Sequence, residues 1–371
     1  MVLKRRIGGI VIHGISEVVC SLLRTTIFDM ADKKTRDPVI DTLRGLAILV
    51  IMVMHVQAYY LHSHVISVLW NFSQWVVPTI VLCAVAVMPT PVAAFDFSSY
   101  ARYVRKRVLR LLIPYWISLV AYFFLQYITT SRAPHALQVL ANIFLYGGVD
   151  YNWLVVLFLY LTVFLPLLDK LFARCKHGYM AVLGVFVMIS FVYVSYRDFL
   201  VHYSKIFMLP TWLAVAMIAR LIITWYETKM KFLLLLVAVF SAGAFISYFV
   251  LQTQRTGAMV FLFHHKYPPD FVFVSFASAS MIIAFYAGRL IQRALAQLPF
   301  VDRVINRFLT HMSMYSYEYF FIHILVLFVL DQQKFLTRPF TTTLAVLLGW
   351  TFVITHVYIY LSRGLPFLRR T

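Results

Sequence analysis

The sequence predicts an all-α, polytopic membrane bundle of about ten spans, and three observations carry that expectation. Hydrophobic residues fill 62% of the 371 positions and charged residues only 13%, roughly half the share of about 25% in ordinary soluble domains. Mean hydropathy is +0.82. The apolar residues gather into runs of spanning length, about 17–25 residues each, without the two-residue alternation of a membrane barrel. Such runs satisfy their backbone groups internally only as helices.

Taken in order, residues 1–36 come before the first run. MVLKRRIGGIVIHGISEVVCSLL joins a basic start to a short apolar stretch broken by His13 and Glu17, and it lacks the small-residue cleavage site of a secretory signal. It reads as an extension, either an interfacial segment or a stretch ahead of a native start at Met30. Spans follow near 39–60, 68–89, 111–129, 150–169, 178–196, 206–226, 232–251, 271–290, 314–331 and 340–361. The membrane domain therefore occupies 37–362, and 363–371 forms a short tail.

Ten spans put both termini on one side, and the basic residues say which. With an inside N-terminus, 25 of the 33 Lys and Arg fall at inner positions and 7 at outer ones, with Arg220 inside the sixth span. This asymmetry predicts N-in, C-in. The net charge of +19 is then spent on topology and on attraction to anionic lipid headgroups, so membrane lipids are expected partners and nucleic acid is not. Three scattered cysteines, Cys20, Cys83 and Cys175, give no disulfide framework. No zinc spacing, Gly-rich phosphate loop or G-x-S-x-G elbow is present, and no metal is expected.

The most informative local feature lies in the first span, DTLRGLAILVIMVMHV at 41–56, where His55 follows Arg44 by eleven positions. Eleven residues of helix rise about 16 Å and turn about 1100°, within about 20° of three full turns. Arg44 and His55 thus share a face, with a cation at the mouth and an imidazole about three turns deep. Ionisable groups inside a membrane are costly and mark function. Asp41, three before Arg44, is placed to orient its guanidinium as an i, i+3 pair.

A second cluster, YARYVRKRVLRLLIPYW at 100–116, holds Arg107 and Arg110 three apart ahead of Pro114. Two Arg on one helix face suit a phosphate. The competing reading is a topology anchor. Glu318 and His323 in the ninth span stand about 140° apart on a helix and do not form a tight pair. Tyr317 offers a hydroxyl beside Glu318. His264, His265, Tyr267 and Asp270 flank Pro268–Pro269 as acceptor contacts or as a polar loop.

Together these segments resemble the acyltransferase-3 family of membrane acyltransferases over residues 37 to about 361. Arg44 and His55 match its Arg and His in the first span, and Arg107 and Arg110 match its R-x-x-R before a proline. YNWLVVLFLYLTVFLPLL at 151–168, carrying Trp153, looks like its Trp-containing fourth span. HKYPPDFVFVSF at 265–276 is similar to a Tyr-Pro-Pro stretch, and SMYSYEYFFIHILVL at 313–327, carrying His323, to its S-Y-x-x-F-x-x-H helix. The chain departs from the pattern at Cys83–Ala84, where many members have Ser-Gly, and at Asn152, where many have His.

The resemblance implies an O-acyltransferase that moves an acyl group, acetyl by default, from cytoplasmic acetyl-CoA through the membrane to a hydroxyl of an extracytoplasmic glycan. It also implies a bacterial inner membrane, and it leaves room for a separate extracytoplasmic partner transferase. Arg44, Arg107 and Arg110 would hold the CoA phosphates. His55 would be general base or transient acyl carrier, both roles open to imidazole. The alternative is a transporter or flippase-like protein for a glycan or lipid-linked intermediate, with Arg44 and His55 as a relay. Such proteins often carry inverted repeats, and no clear repeat is present.

Overall fold

Asp37 opens the first helix. Its carboxylate accepts the Val39 N–H at 2.9 Å, and Pro38 takes a first-turn position where its missing N–H costs nothing. In this computed structural model the described residues are 37–88, 96–131, 133–145, 152–171, 176–200, 204–228 and 230–364. The predicted extension 1–36, Cys20, Cys175 and the tail beyond 364 lie outside them.

Among the described residues the secondary structure is helical and without a β-strand. In chain order the helices are α1 (Pro38–Gln57), α2 (His64–Phe72), α3 (Val76–Ala86), α4 (Phe97–Thr130), α5 (Ala136–Ile143), α6 (Asn152–Leu171) and α7 (Lys176–Ser195). They continue as α8 (Arg197–Leu200), α9 (Ser204–Glu227), α10 (Lys231–Thr256), α11 (Phe271–Ala296), α12 (Pro299–Met314), α13 (Ser316–Gln332) and α14 (Phe340–Gly364). Nine stretches of the described residues are long and apolar enough to cross a membrane, with α2 and α3 forming one through a 3₁₀ turn at Ser73–Trp75. A tenth arises if α12 and α13 count as one span bent by 78°.

The structure refines three predicted boundaries. The second span begins earlier, at His64. The third is only the second half of α4, whose 34 residues continue as helix through the Arg-rich stretch that reads as a loop by hydropathy. The ninth begins at a sharp break at Tyr315 (φ −108°, ψ 29°). Before that break, α12 is a separate helix bearing Asp302, Arg303, Asn306 and Arg307.

Three spans form the centre. Their spanning windows are 67% buried for α1, 67% for α2 with α3 and 72% for α11, against 11% for α10, which exposes Phe240, Val239 and Leu251 as a surface for lipid. Packed around α1 are α3, α11, α12, α13 and α14. The crossing with α12 depends on Gly45, where an added Cβ would collide with the Leu309 carbonyl. At one end of α1, Arg289 pairs with Asp37 at 2.9 Å and Gln292 donates to Thr42 at 2.5 Å. At the other, the Tyr60 hydroxyl donates to the Arg338 carbonyl at 2.5 Å. The intramembrane Arg220 is paired with Asp169 at 2.9 Å, both side chains buried, as a charge in hydrocarbon requires.

Candidate active site

On α1, Arg44 and His55 are both half-buried and separated by about 16 Å of helix. Arg44 donates from Nη2 to the Cys83 carbonyl of α3 at 2.8 Å. Asp41 points elsewhere, accepting from Ser313 Oγ at 2.7 Å. The expected Asp41–Arg44 pair is thus replaced: the shorter carboxylate is taken by α12 while the guanidinium turns to α3.

One contact from α12 and one from α13 hold this bent pair against α1. Ser313, two residues before the bend, meets Asp41, and further along α1 His323 Nε2 lies 2.7 Å from His55 Nδ1. The two rings are 5.0 Å apart and within 14° of parallel, with Phe320 against both. His323 is fully buried, and its Nδ1 lies 3.1 Å from the Tyr319 carbonyl.

These distances fix the tautomers of the neutral rings. A carbonyl oxygen only accepts, so His323 Nδ1 carries the hydrogen and His323 Nε2 is an acceptor. His55 must then donate from Nδ1. The remaining nitrogen, His55 Nε2, keeps its lone pair free to take a proton. A histidine held through one ring nitrogen so that the other acts as base is the logic of nucleophile-activating sites on many folds.

Near this end of α1 the structure adds residues that sequence reasoning missed. Lys266, in the segment joining α10 to α11, is 2% exposed. Its Nζ donates to Gln74 Oε1 at 3.0 Å and lies 5.0 Å from the Trp153 ring centre and 4.9 Å from that of Tyr267. Burial pushes this lysine down to about 7, and its charge is felt at His55. Trp153 in turn stacks on Trp212 at 6.1 Å, whose buried Nε1 has no hydrogen-bond partner among the described residues. The available signal was a lysine set directly before Tyr-Pro-Pro among aromatic residues. Its neighbours His265 and Asp270 pair at 2.5 Å, and Asp270 also caps α11 by accepting from Val272 and Phe273. The 265–270 segment is therefore a built element.

The other candidates are more dispersed. Arg107 lies over the Tyr103 ring at 5.8 Å and Arg110 is exposed. Both are on α4, which packs against α6 and α13, and α13 packs in turn against α1. Tyr317 meets Phe158 edge-on at 6.1 Å and Glu318 is buried, both in the first turn of α13. Asn152, at the position where a His was expected, joins a buried network. Its Nδ2 donates to Asn142 at 3.0 Å and its Oδ1 lies 2.7 Å from the Tyr115 hydroxyl. Among the described residues no group of three His, Cys, Asp or Glu is disposed to hold a metal ion.

A family model described as an acyltransferase domain, that of the acyltransferase-3 family, matches residues 37–361. No curated protein and no solved structure matches the chain. The family match covers all the spanning helices and both ends of the Arg44–His55 face, and so the chain belongs to the acyltransferase-3 family and is an integral membrane acyltransferase.

Proposed function

We propose that this protein transfers an acetyl group from acetyl-CoA on the cytoplasmic side of a bacterial inner membrane to a hydroxyl of an extracytoplasmic glycan. The observation that carries the reading is the His55–His323 contact at 2.7 Å, which leaves His55 Nε2 as a base on the face it shares with Arg44. The N-in, C-in orientation, from the distribution of Lys and Arg, puts Arg44 at the cytoplasmic end. There its guanidinium, together with Arg107 and Arg110 on α4, offers charge for the CoA phosphates. The pantetheine arm then runs along α1, a path of about 16 Å.

In the transfer step His55 Nε2 removes the proton from the acceptor hydroxyl, and the oxygen attacks the thioester carbonyl. The tetrahedral intermediate collapses by breaking the C–S bond. The proton held on His55 passes to the departing sulfur, so that CoA leaves as its thiol and the imidazole returns to neutral. His323 takes no part in bond making. It holds the His55 ring by one nitrogen so that the other stays aimed and unprotonated.

The test is acetyl-CoA binding and acetyl release with the purified native chain, Arg44→Ala and His55→Ala. Arg44→Ala is expected to weaken binding by about 10–100-fold, the size of a charge-assisted contact. His55→Ala is expected to bind normally and to lose turnover by about 10²–10⁴-fold. A well-folded native chain that does not bind acetyl-CoA sinks the reading and favours a transporter.

A further inference from the structure

The buried lysine beside the histidine pair is not used by the transfer step described above. A buried ammonium ordinarily has a carboxylate or an equivalent set of acceptors around it. The ion pairs Arg220–Asp169, His265–Asp270 and Arg289–Asp37 do not include Lys266. The nearest carboxylate in sequence, Asp270, is already occupied by His265 and by two backbone N–H groups of α11.

What Lys266 does have is one neutral acceptor, Gln74 Oε1, and the faces of Trp153 and Tyr267. An ammonium carries three donors, and among the described residues only this one hydrogen bond engages them. Trp212, stacked on Trp153, adds a buried indole N–H that lacks an acceptor. The unmet groups on Lys266 and Trp212 are therefore donors. A donor-rich, cationic cluster walled by aromatic rings is complementary to a ring-shaped polar molecule that carries a negative charge.

We propose that Lys266, Gln74, Trp153 and Tyr267 form the anion-recognising part of the acceptor site, so that the acceptor is an acidic glycan unit whose carboxylate or phosphate pairs with the Lys266 ammonium. The proposal rests on reading the His55 end of α1 as the acceptor's end. Lys266 lies in the α10–α11 connection, on the same side of the bundle as His55 and opposite to Arg44, so an anion held there is separate from the donor's phosphates. The pairing gives the buried ammonium its missing counter-charge only when the acceptor is in place. It thereby discriminates charged from neutral sugars, because a neutral sugar leaves the cation unmet.

The experiment uses the full-length chain in detergent with its lysines labelled with ¹³C at Cε, on the acid side of neutrality and without acetyl-CoA. The Lys266 resonance is assigned by its loss in both Lys266→Met and Lys266→Arg. It is followed against glucuronate, glucose 6-phosphate and glucose, three probes that share a ring and differ in charge. A saturable shift with glucuronate or glucose 6-phosphate, about 10–100-fold tighter than with glucose, supports the proposal. Whichever of the two dominates identifies the anion as carboxylate or phosphate. Equal responses to all three, or no response to any, overturn it. So does a Lys266→Met chain that retains the preference when read by thermal shift, while Lys266→Arg, which keeps the charge, is expected to retain part of it. Because the donor is absent, failure of the acetyl-CoA reading appears in the binding assay of the previous section and not in this one.

Discussion

His55 and His323 are 268 positions apart in sequence and meet through a single N–H···N contact that, in the proposed mechanism, decides which nitrogen is the base. Substituting His323 by Phe keeps the bulk and removes the acceptor, freeing the His55 ring to rotate or change tautomer. We expect turnover to fall by about 10²-fold, the cost of a small misplacement at a reacting group, with acetyl-CoA affinity unchanged. Stopped-time product assays beside a binding isotherm check the split, and ¹⁵N spectra of labelled imidazoles show directly whether His55 loses its fixed tautomer. Lys266 supports a prediction about pH. Burial lowers it to about 7, so above that value the folded chain carries an amine, while the unfolded chain keeps the proton up to the ordinary lysine value near 10.5. Between those limits the unfolded state binds more protons, so raising the pH stabilises the fold through this group. Anion recognition runs the other way and fades as the pH rises through about 7. The groups around it are the His265–Asp270 pair, Tyr267 and His55. Comparing thermal midpoints of the native chain and Lys266→Met across that window isolates the lysine, since the variant lacks the rising component.

Among the elements, the helices that sequence reading places well are those whose apolar runs are continuous, such as α1, α9 and α11. Hydropathy loses accuracy where the chain stays helical through charge, as α4 does at Arg102–Arg110, and where a helix breaks without Gly or Pro, as at Tyr315. Neither event leaves a local signature, because the first is decided by packing of α4 on α6 and α13 and the second by the seat of α12 on α1. That seat is made by Gly45 beside Arg44. Gly45→Ala brings a methyl against the Leu309 carbonyl, a backbone atom that moves only with its helix. We expect a loss of about 1–3 kcal/mol, as for other overpacked cores, read as a lower thermal midpoint in detergent. Since α1 carries both Arg44 and His55, activity should fall with it. A variant as stable as the native chain would show that α12 is free to slide.

For the molecule as a whole, the legible part of the site was the part written on one helix. The shared face of Arg44 and His55 follows from the helical period alone, whereas the His323 contact and the burial of Lys266 depend on partners from distant segments. Trp153 comes from α6, Tyr267 from the α10–α11 connection and Gln74 from the turn after α2, and no spacing rule links them. The two roles of the α4 arginines also separate only at this scale. Arg107→Ala and Arg110→Ala are expected to weaken acetyl-CoA binding by about 10–100-fold each while leaving insertion unchanged, as checked by accessibility of cysteines placed at the two ends of the bundle. Altered sidedness with normal binding would assign them to topology. The length of α4 bears on how such residues work. Its 34 residues extend about 51 Å, against a hydrocarbon layer of about 30 Å, so this helix stands proud of the bilayer like a mast. Arg102, Arg105 and Arg110 are exposed along it at heights fixed by the helix rather than floating on a loop. An anionic molecule drifting within a screening length of about 8 Å meets a rigid ladder of positive rungs before it reaches the membrane surface. If acetyl-CoA is the donor, as proposed, its capture and descent become one continuous slide, with salt concentration setting how far out it begins.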